Sequence, residues 1–207
     1  MSNIDIRQLI VGPIGTNCYI VKAKEKKHVV VIDPGAAAER ITQAVRKMGA
    51  IVEAILLTHG HFDHIGAVDA LVKEWGCKTY LLEDEKEVME SSDLNLSGPM
   101  MNHPFAAKAD VLVKDGDCVS LAGLHFKVIA TPGHTKGSCC YYVEEENVLF
   151  SGDTMFYSSH GRTDFPTGSE SAILRSIRDR LLVLPGETTV YPGHDSVTSI
   201  EDEEKWY

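Results

Sequence analysis

Between Thr58 and His64 the chain reads Thr-His-Gly-His-Phe-Asp-His, so His59, His61, Asp63 and His64 fall within one short stretch. Imidazole nitrogen and carboxylate oxygen are the donors that zinc, iron and manganese share. On an extended loop, His59 and His61 can send both rings to one cation, while Asp63 and His64, further along the turn, can face a second. The alternative for the same run is a polar loop capping a helix at Gly66, its histidines merely solvated. So dense a cluster seldom arises by chance, and metal binding is the stronger reading.

Side chains placed this closely need a rigid support. Residues 51–57 form an apolar run of strand length that delivers the cluster. Further strands are predicted over residues 4–11, 18–22, 28–32, 79–82, 109–113, 118–121, 124–129, 138–143, 147–150 and 190–191. Helical spacing runs through residues 37–48 and through Val68, Leu71, Val72 and Trp75, which Gly76 closes. An acidic helix is predicted near residues 84–90, and Thr167 and Glu170 have capping-box spacing ahead of Ile173, Ile177 and Leu181. Residues 91–108 break the pattern and read as a flexible flap. Two pairs of segments echo each other: VVVIDPG and NVLFSGDT each deliver an aspartate, AILLTHGH and TTVYPGHD each a histidine. Strands dominate both halves, which suggests two sheets with helices on their outer faces and a site between the halves along a shared edge.

Composition narrows the function classes. The chain has 207 residues, with 43% hydrophobic and 24% charged, in the range of an ordinary globular domain. Asp and Glu outnumber Lys and Arg by 30 to 20, a net charge of −10 that disfavours a nucleic-acid footprint. Five cysteines without a CxxC pair exclude a secreted disulfide framework and a thiolate zinc site. The adjacent Cys139 and Cys140 read as buried small hydrophobes. The opening residues 1–7 lack the basic and apolar regions of a signal peptide, and no apolar run reaches the ~20 residues of a membrane span. A cytoplasmic location is the expectation.

The 58–64 run resembles the HxHxDH motif of the metallo-β-lactamase superfamily, and the other family motifs follow in order. Asp33 after Val-Val-Val-Ile, His134 in Thr-Pro-Gly-His-Thr, Asp153 in Phe-Ser-Gly-Asp-Thr and His194 in Pro-Gly-His match them over nearly the whole chain. The resemblance implies an α+β fold, a four-layer αββα sandwich, as one domain over residues 1–207. It implies two divalent metal ions, zinc first, with iron or manganese as alternatives. By the motif match His59, His61 and His134 hold the first metal, and Asp63, His64 and His194 the second. Asp153 bridges both, and Asp63 and Asp153 are the carboxylates assigned a catalytic part. Asp33 is expected to orient a ligand from outside the coordination sphere; a plain turn aspartate ahead of Pro34 and Gly35 is the other reading.

Asp153 narrows the class, since β-lactamases of the family usually lack the bridging aspartate. Gly161-Arg162-Thr163-Asp164-Phe165 resembles a segment of glyoxalase II-like proteins and of persulfide dioxygenases. Arg162 and Asp164 are expected to brace the loop beneath the metals, or else to form a surface ion pair. The resemblance is to the single-domain glyoxalase II-like branch, without a C-terminal helical substrate domain. It implies a hydrolase of S-acyl thiols such as hydroxyacylglutathione, acting through a metal-bound hydroxide; a mononuclear iron persulfide dioxygenase is the alternative. The expected partner is a small-molecule thioester, with no nucleic acid and no membrane, and a homo-oligomer would let a neighbouring copy supply part of the pocket. Of the other histidines, His28 and His125 read as structural or exposed, His160 as a loop residue, and His103 as part of the flap.

Overall fold

The computed structural model describes residues 3–207; Met1 and Ser2, which open the stretch read for targeting signals, lie outside the described residues. Period-two alternation decides the architecture. In β3 (His28–Ile32) Val30 and Ile32 face one apolar cluster while Val29 and Val31 face another. In β4 (Ile51–Leu56) Ala54 and Leu56 separate from Ile55 in the same way. A strand buried on both faces must be covered on both.

One six-stranded sheet sets β1 (Ile4–Val11), β2 (Thr16–Ala23), β3, β4, β5 (Lys78–Leu82) and β6 (Val111–Val113) side by side in chain order. The other sets β7 (Cys118–Leu121), β8 (Leu124–Ala130), β9 (Cys139–Val143), β10 (Val148–Gly152), β11 (Thr189–Pro192) and β12 (Thr198–Ser199) likewise. The cluster between the sheets joins Tyr19, Val30 and Leu56 to Phe126, Tyr141 and Phe150. Outside the first sheet, α1 (Ala38–Lys47), α2 (Phe62–Ile65) and α3 (Val68–Trp75) bring Ile41, Ile65 and Leu71 onto Val31 and Ile55. Three shorter pieces lie between β5 and β6: α4 (Lys86–Glu90), α5 (Ser97–Met100), and a single 3₁₀ turn, Glu83–Glu85, that leads into α4. Outside the second sheet, α6 (Glu170–Ser176) and its π-helical continuation Ile177–Leu181 cover Cys140, Tyr142 and Leu149, joined by Ile200 of α7 (Ile200–Glu203). The layers are therefore helix, sheet, sheet, helix, as expected.

Strand direction brings the site together. β3 and β4 are parallel, so Asp33 and Thr58 leave the first sheet at one edge. β10 and β11 are parallel, and β8 runs the same way because β9 is antiparallel to both β8 and β10. His134, Asp153 and His194 follow the C-terminal ends of those strands. The two sequence echoes correspond to these parallel pairs. The edges are tied across the interior: Tyr141 donates its hydroxyl to Leu57 O at 2.9 Å, Tyr19 donates to Pro192 O at 2.6 Å, and Cys139 N donates to Thr58 O at 2.9 Å.

Three expectations differ from the structure. Thr167 does not cap a helix: its φ is 70°, its hydroxyl accepts from Lys136 N, and Ser169 precedes α6 instead. Glu170 is taken by Thr163 Oγ1 at 2.7 Å. The stretch over 91–108 contains α5 and is pinned by buried Asn95 and Ser97 rather than lacking structure. β12 and α7, too short for a periodic signal, had no counterpart in the sequence reading.

Candidate metal centre

The HxH loop is extended because β4 has ended and α2 begins only at Phe62, with His61 at φ −67° and ψ 148°. His59 and His61 therefore leave the strand end together, and the first turn of α2 carries Asp63 and His64 to the other side. With His134, Asp153 and His194 they form three overlapping clusters: His59, His61 and His134; His59, His64 and Asp153; and Asp63, His64 and His194. Within each cluster the ligand atoms all lie within 4.8 Å of one another. His61 Nδ1 and His134 Nε2 are 2.9 Å apart. His64 Nε2 is 3.4 Å from Asp63 Oδ2 and 3.4 Å from Asp153 Oδ1. Asp153 Oδ2 lies 3.5 Å from His134 Nε2 and 3.6 Å from His194 Nε2, and His194 Nε2 is 3.3 Å from Asp63 Oδ2. Asp153 thus faces both groups.

For three of the rings, neighbours outside the clusters fix which nitrogen is turned inward. Thr58 Oγ1 donates to Asp33 Oδ2 at 2.6 Å, which leaves it to accept from His59 Nδ1 at 3.1 Å. His64 Nδ1 donates to Asp33 Oδ2 at 3.0 Å. His134 Nδ1 donates to the carbonyl of Arg162 at 2.7 Å. In each case Nε2 is the atom turned inward. Asp33 also accepts from Thr58 N at 2.8 Å while sitting at φ 49°, so it is both a turn residue and a clamp.

The donor set fits cations. His59 Nε2, His64 Nε2 and Asp153 Oδ1 are buried and without a hydrogen-bond partner, and His61 turns Nδ1 toward His134 Nε2. Each such atom ordinarily costs ≈ 1–3 kcal/mol unless something fills the gap. Burial, reinforced by the neighbouring imidazoles, holds His59 and His61 well below the usual histidine range, in the neutral form that metals bind. Burial also lowers His134. For His64 burial acts the same way, but Asp63, Asp153 and Asp33 outweigh it and push the ring up to about 10. Asp63 is resisted by burial yet held below the usual carboxylate range by His64, His194 and Thr16. The carboxylates thus create a place where positive charge is retained, whether as a proton or as a metal ion.

Backbone crowding makes the loops specific. A Cβ on Gly193 would stand 2.2 Å from Asp153 Oδ1, and one on Gly161 would stand 2.0 Å from the Asp153 carbonyl. Arg162 and Asp164 pair in a fork, at 2.9 and 2.6 Å, but both side chains are 65% exposed. The link from this segment to the centre is the Arg162 carbonyl on His134, while the guanidinium stacks over Phe165. His28, His103 and His125 are exposed, and His160 meets Tyr207 and Glu170 away from the clusters. Cys139 and Cys140 are buried.

Several contributors were not singled out in the sequence. Thr16 donates to Asp63 Oδ2 at 2.9 Å. Glu85, fully buried, accepts from Gly60 N at 2.8 Å, Thr135 Oγ1 at 2.9 Å and Gly137 N at 2.9 Å. It therefore ties the HxH loop to the loop of His134. Burial pushes its carboxyl up to about 7 against those three donors. A cleft of about 240 Å³ opens over the ligands, walled by Ile14, Phe62, Leu96, Met100, Phe156 and Phe165.

Comparison with known proteins agrees with this geometry. The chain is 37% identical over 199 residues to "Probable metallo-hydrolase YqgX" of Bacillus subtilis (strain 168), covering 96% of this chain and 93% of that protein. It is 33% identical over 195 residues to "Hydroxyacylglutathione hydrolase GloC" of Haemophilus influenzae, covering 91% and 90%. The crystal structure of BLEG-1 B3 metallo-beta-lactamase superposes with a TM-score of 0.92 at 38% identity, over 97% of both chains. TTHA1623 in a di-iron-bound form gives 0.86 at 36% identity, over 96% of this chain and 97% of that one. ETHE1 from Myxococcus xanthus gives 0.81 at 32%, over 97% and 82%. Among the described residues no helix is long and apolar enough to cross a membrane. The sequence pattern of the Metallo-beta-lactamase superfamily matches residues 11–194, and with its clustered histidines and aspartates at the sheet edges the chain belongs to that superfamily of metallo-hydrolases.

Proposed function

We propose that the chain is a thioester hydrolase with two divalent cations, held by His59, His61 and His134 on one side and by Asp63, His64 and His194 on the other, with Asp153 between them. The observation that carries the two-cation part of this reading is Asp153, whose carboxylate lies 3.5 Å from His134 of the first set and 3.4 and 3.6 Å from His64 and His194 of the second. When bound, such cations supply Lewis acidity and lower the pKa of water, to ≈ 7 for zinc. The chain's own residues do the rest. Asp33 and the Arg162 carbonyl lock His64 and His134 in the ligating tautomer. Thr16 orients Asp63. Phe156, Phe165 and Met100 give the cleft an apolar wall. A thiol of ordinary pKa near 8.5 departs as its anion, so the leaving group needs little protonation.

The likeness to a protein named hydroxyacylglutathione hydrolase supports the thioester substrate. The second reading, a mononuclear iron persulfide dioxygenase, stands beside it because the Gly161–Phe165 segment resembles both classes, and likeness to a di-iron structure keeps iron beside zinc as the native metal. Zinc-loaded and iron-loaded protein should be assayed with S-lactoylglutathione, with glutathione persulfide under oxygen uptake, and with a chromogenic β-lactam in view of the likeness to BLEG-1. Thioester hydrolysis is the expected outcome; metal-loaded protein inert toward thioesters ends the reading. Asp153→Ala is expected to reduce bound metal from two ions to one or fewer by elemental analysis. Two retained ions would remove the bridging role.

A further inference from the structure

A second cavity, of about 770 Å³, adjoins the cleft over the ligands and shares Ile14, Phe62, Asp63 and Met100 with it. The two form one groove that runs from the metal centre toward the surface. Its walls are the β1–β2 turn, residues 35–37, the α2 segment from Phe62 to Gly66, and the segment around α5. The last wall is built rather than loose. Asn95 Nδ2 and Ser97 Oγ both donate to Phe105 O at 2.8 Å, and Phe105 N donates back to Ser97 Oγ at 3.0 Å.

The lining has a definite chemistry. Ile14, Met100 and Met101 are 47%, 54% and 40% exposed, so three large apolar side chains gather at one rim. Phe62 and Phe105 continue the surface inward. Its polar side chains are Thr16 and Asp63 at the metal end and Asn102 and His103 beyond, and among the described residues no lysine or arginine lines it. Over the ligand cleft the guanidinium is that of Arg162, already forked onto Asp164. A carboxylate-bearing chain would therefore meet no free cation here, whereas an apolar chain would cover wetted hydrophobic surface. Methionine side chains adapt to such chains without a fixed shape.

We infer that this groove receives an uncharged, apolar acyl chain of the substrate, with the scissile carbonyl at the metal end. The place of the carbonyl rests on the thioesterase reading; the preference for an apolar chain rests on the lining alone. N-acetylcysteamine thioesters of acetyl, butyryl and hexanoyl groups vary the chain while keeping the thiol uncharged and constant. We expect kcat/KM to rise at least tenfold from acetyl to hexanoyl, and Met101→Lys to flatten the rise. A rate independent of chain length, or the same slope in the variant, overturns the inference. Binding is read separately, by titrating methionine-methyl-labelled protein with an uncleavable S-hexyl thioether of N-acetylcysteamine. The Met100 and Met101 methyl resonances are expected to shift and saturate. If they shift while no thioester is hydrolysed, the thioesterase reading fails and the apolar preference stands. If thioesters are hydrolysed with neither a shift nor a chain-length slope, the thioesterase reading stands and the groove has no such role.

Discussion

Asp33 accepts three hydrogen bonds, from Thr58 N, Thr58 Oγ1 and His64 Nδ1, and through them it sets two imidazoles. Asp33→Asn replaces one acceptor oxygen with an amide donor that meets either Thr58 or His64. Loss of such an outer contact typically weakens metal binding 10–100-fold. We expect roughly tenfold or more for this variant, measured by chelator competition with circular dichroism confirming the fold. The buried rings also predict acid sensitivity of the metal-free protein. His59 and His61 are held well below their ordinary value, so below pH 6.5 the unfolded chain takes up protons that the folded chain refuses, and His134 acts in the same direction. Stability present above 6.5 is thus lost as pH falls, by roughly 1.4 kcal/mol per group per pH unit. Glu85 has the opposite sign, because its raised carboxyl holds a proton in the folded state between about 4.5 and 7. His64 and His194, raised in the folded state, have the opposite sign too, but what they contribute is already present well below pH 6.5. Urea unfolding midpoints should therefore fall from pH 6 to 5, and more steeply in Glu85→Gln.

Among the elements, the strands were legible because each alternates its side chains between two apolar layers. Cys139, Tyr141 and Val143 of β9 enter the inter-sheet core, and Cys140 and Tyr142 enter the outer one. The start of α6 was misread because capping is a contest between local partners. Thr167 has the right spacing but a left-handed φ, and Thr163 claims the Glu170 carboxylate. Glu85 was read only as part of an acidic helix, yet it closes the 3₁₀ turn ahead of α4 and binds two loops. Glu85→Ala leaves the Gly60 and Gly137 amides buried without acceptors, a loss on the order of 3 kcal/mol. Chemical denaturation should show it, together with weaker metal binding, because Gly60 lies between His59 and His61. Metal affinity unchanged in a folded variant would show that the tie does not position the ligands.

At the scale of the molecule, the centre exists because two sheets end at a common edge. Tyr141 to Leu57 and Tyr19 to Pro192 span the interior between them. Tyr141→Phe removes one tie and is expected to lower stability by about 1 kcal/mol, seen as a reduced urea midpoint. It should also loosen the site, since Leu57 directly precedes Thr58 and His59. Identical midpoints for variant and parent would place the registration of the sheets in apolar packing alone.

The amino-acid sequence by itself determined where strands end and which ligand types stand there, because alternation and motif spacing are local properties. It therefore carried the layered fold and brought the clustered histidines and aspartates into view. Only the tertiary structure decided how those ends face one another, and which distant groups serve them. Thr16 on Asp63, Glu85 on Thr135 and the Arg162 carbonyl on His134 join residues 47, 50 and 28 positions apart. The apolar groove is likewise assembled from four separate segments. Contacts of that kind leave no periodic trace in the chain, since closing long loops depends on the whole core having formed.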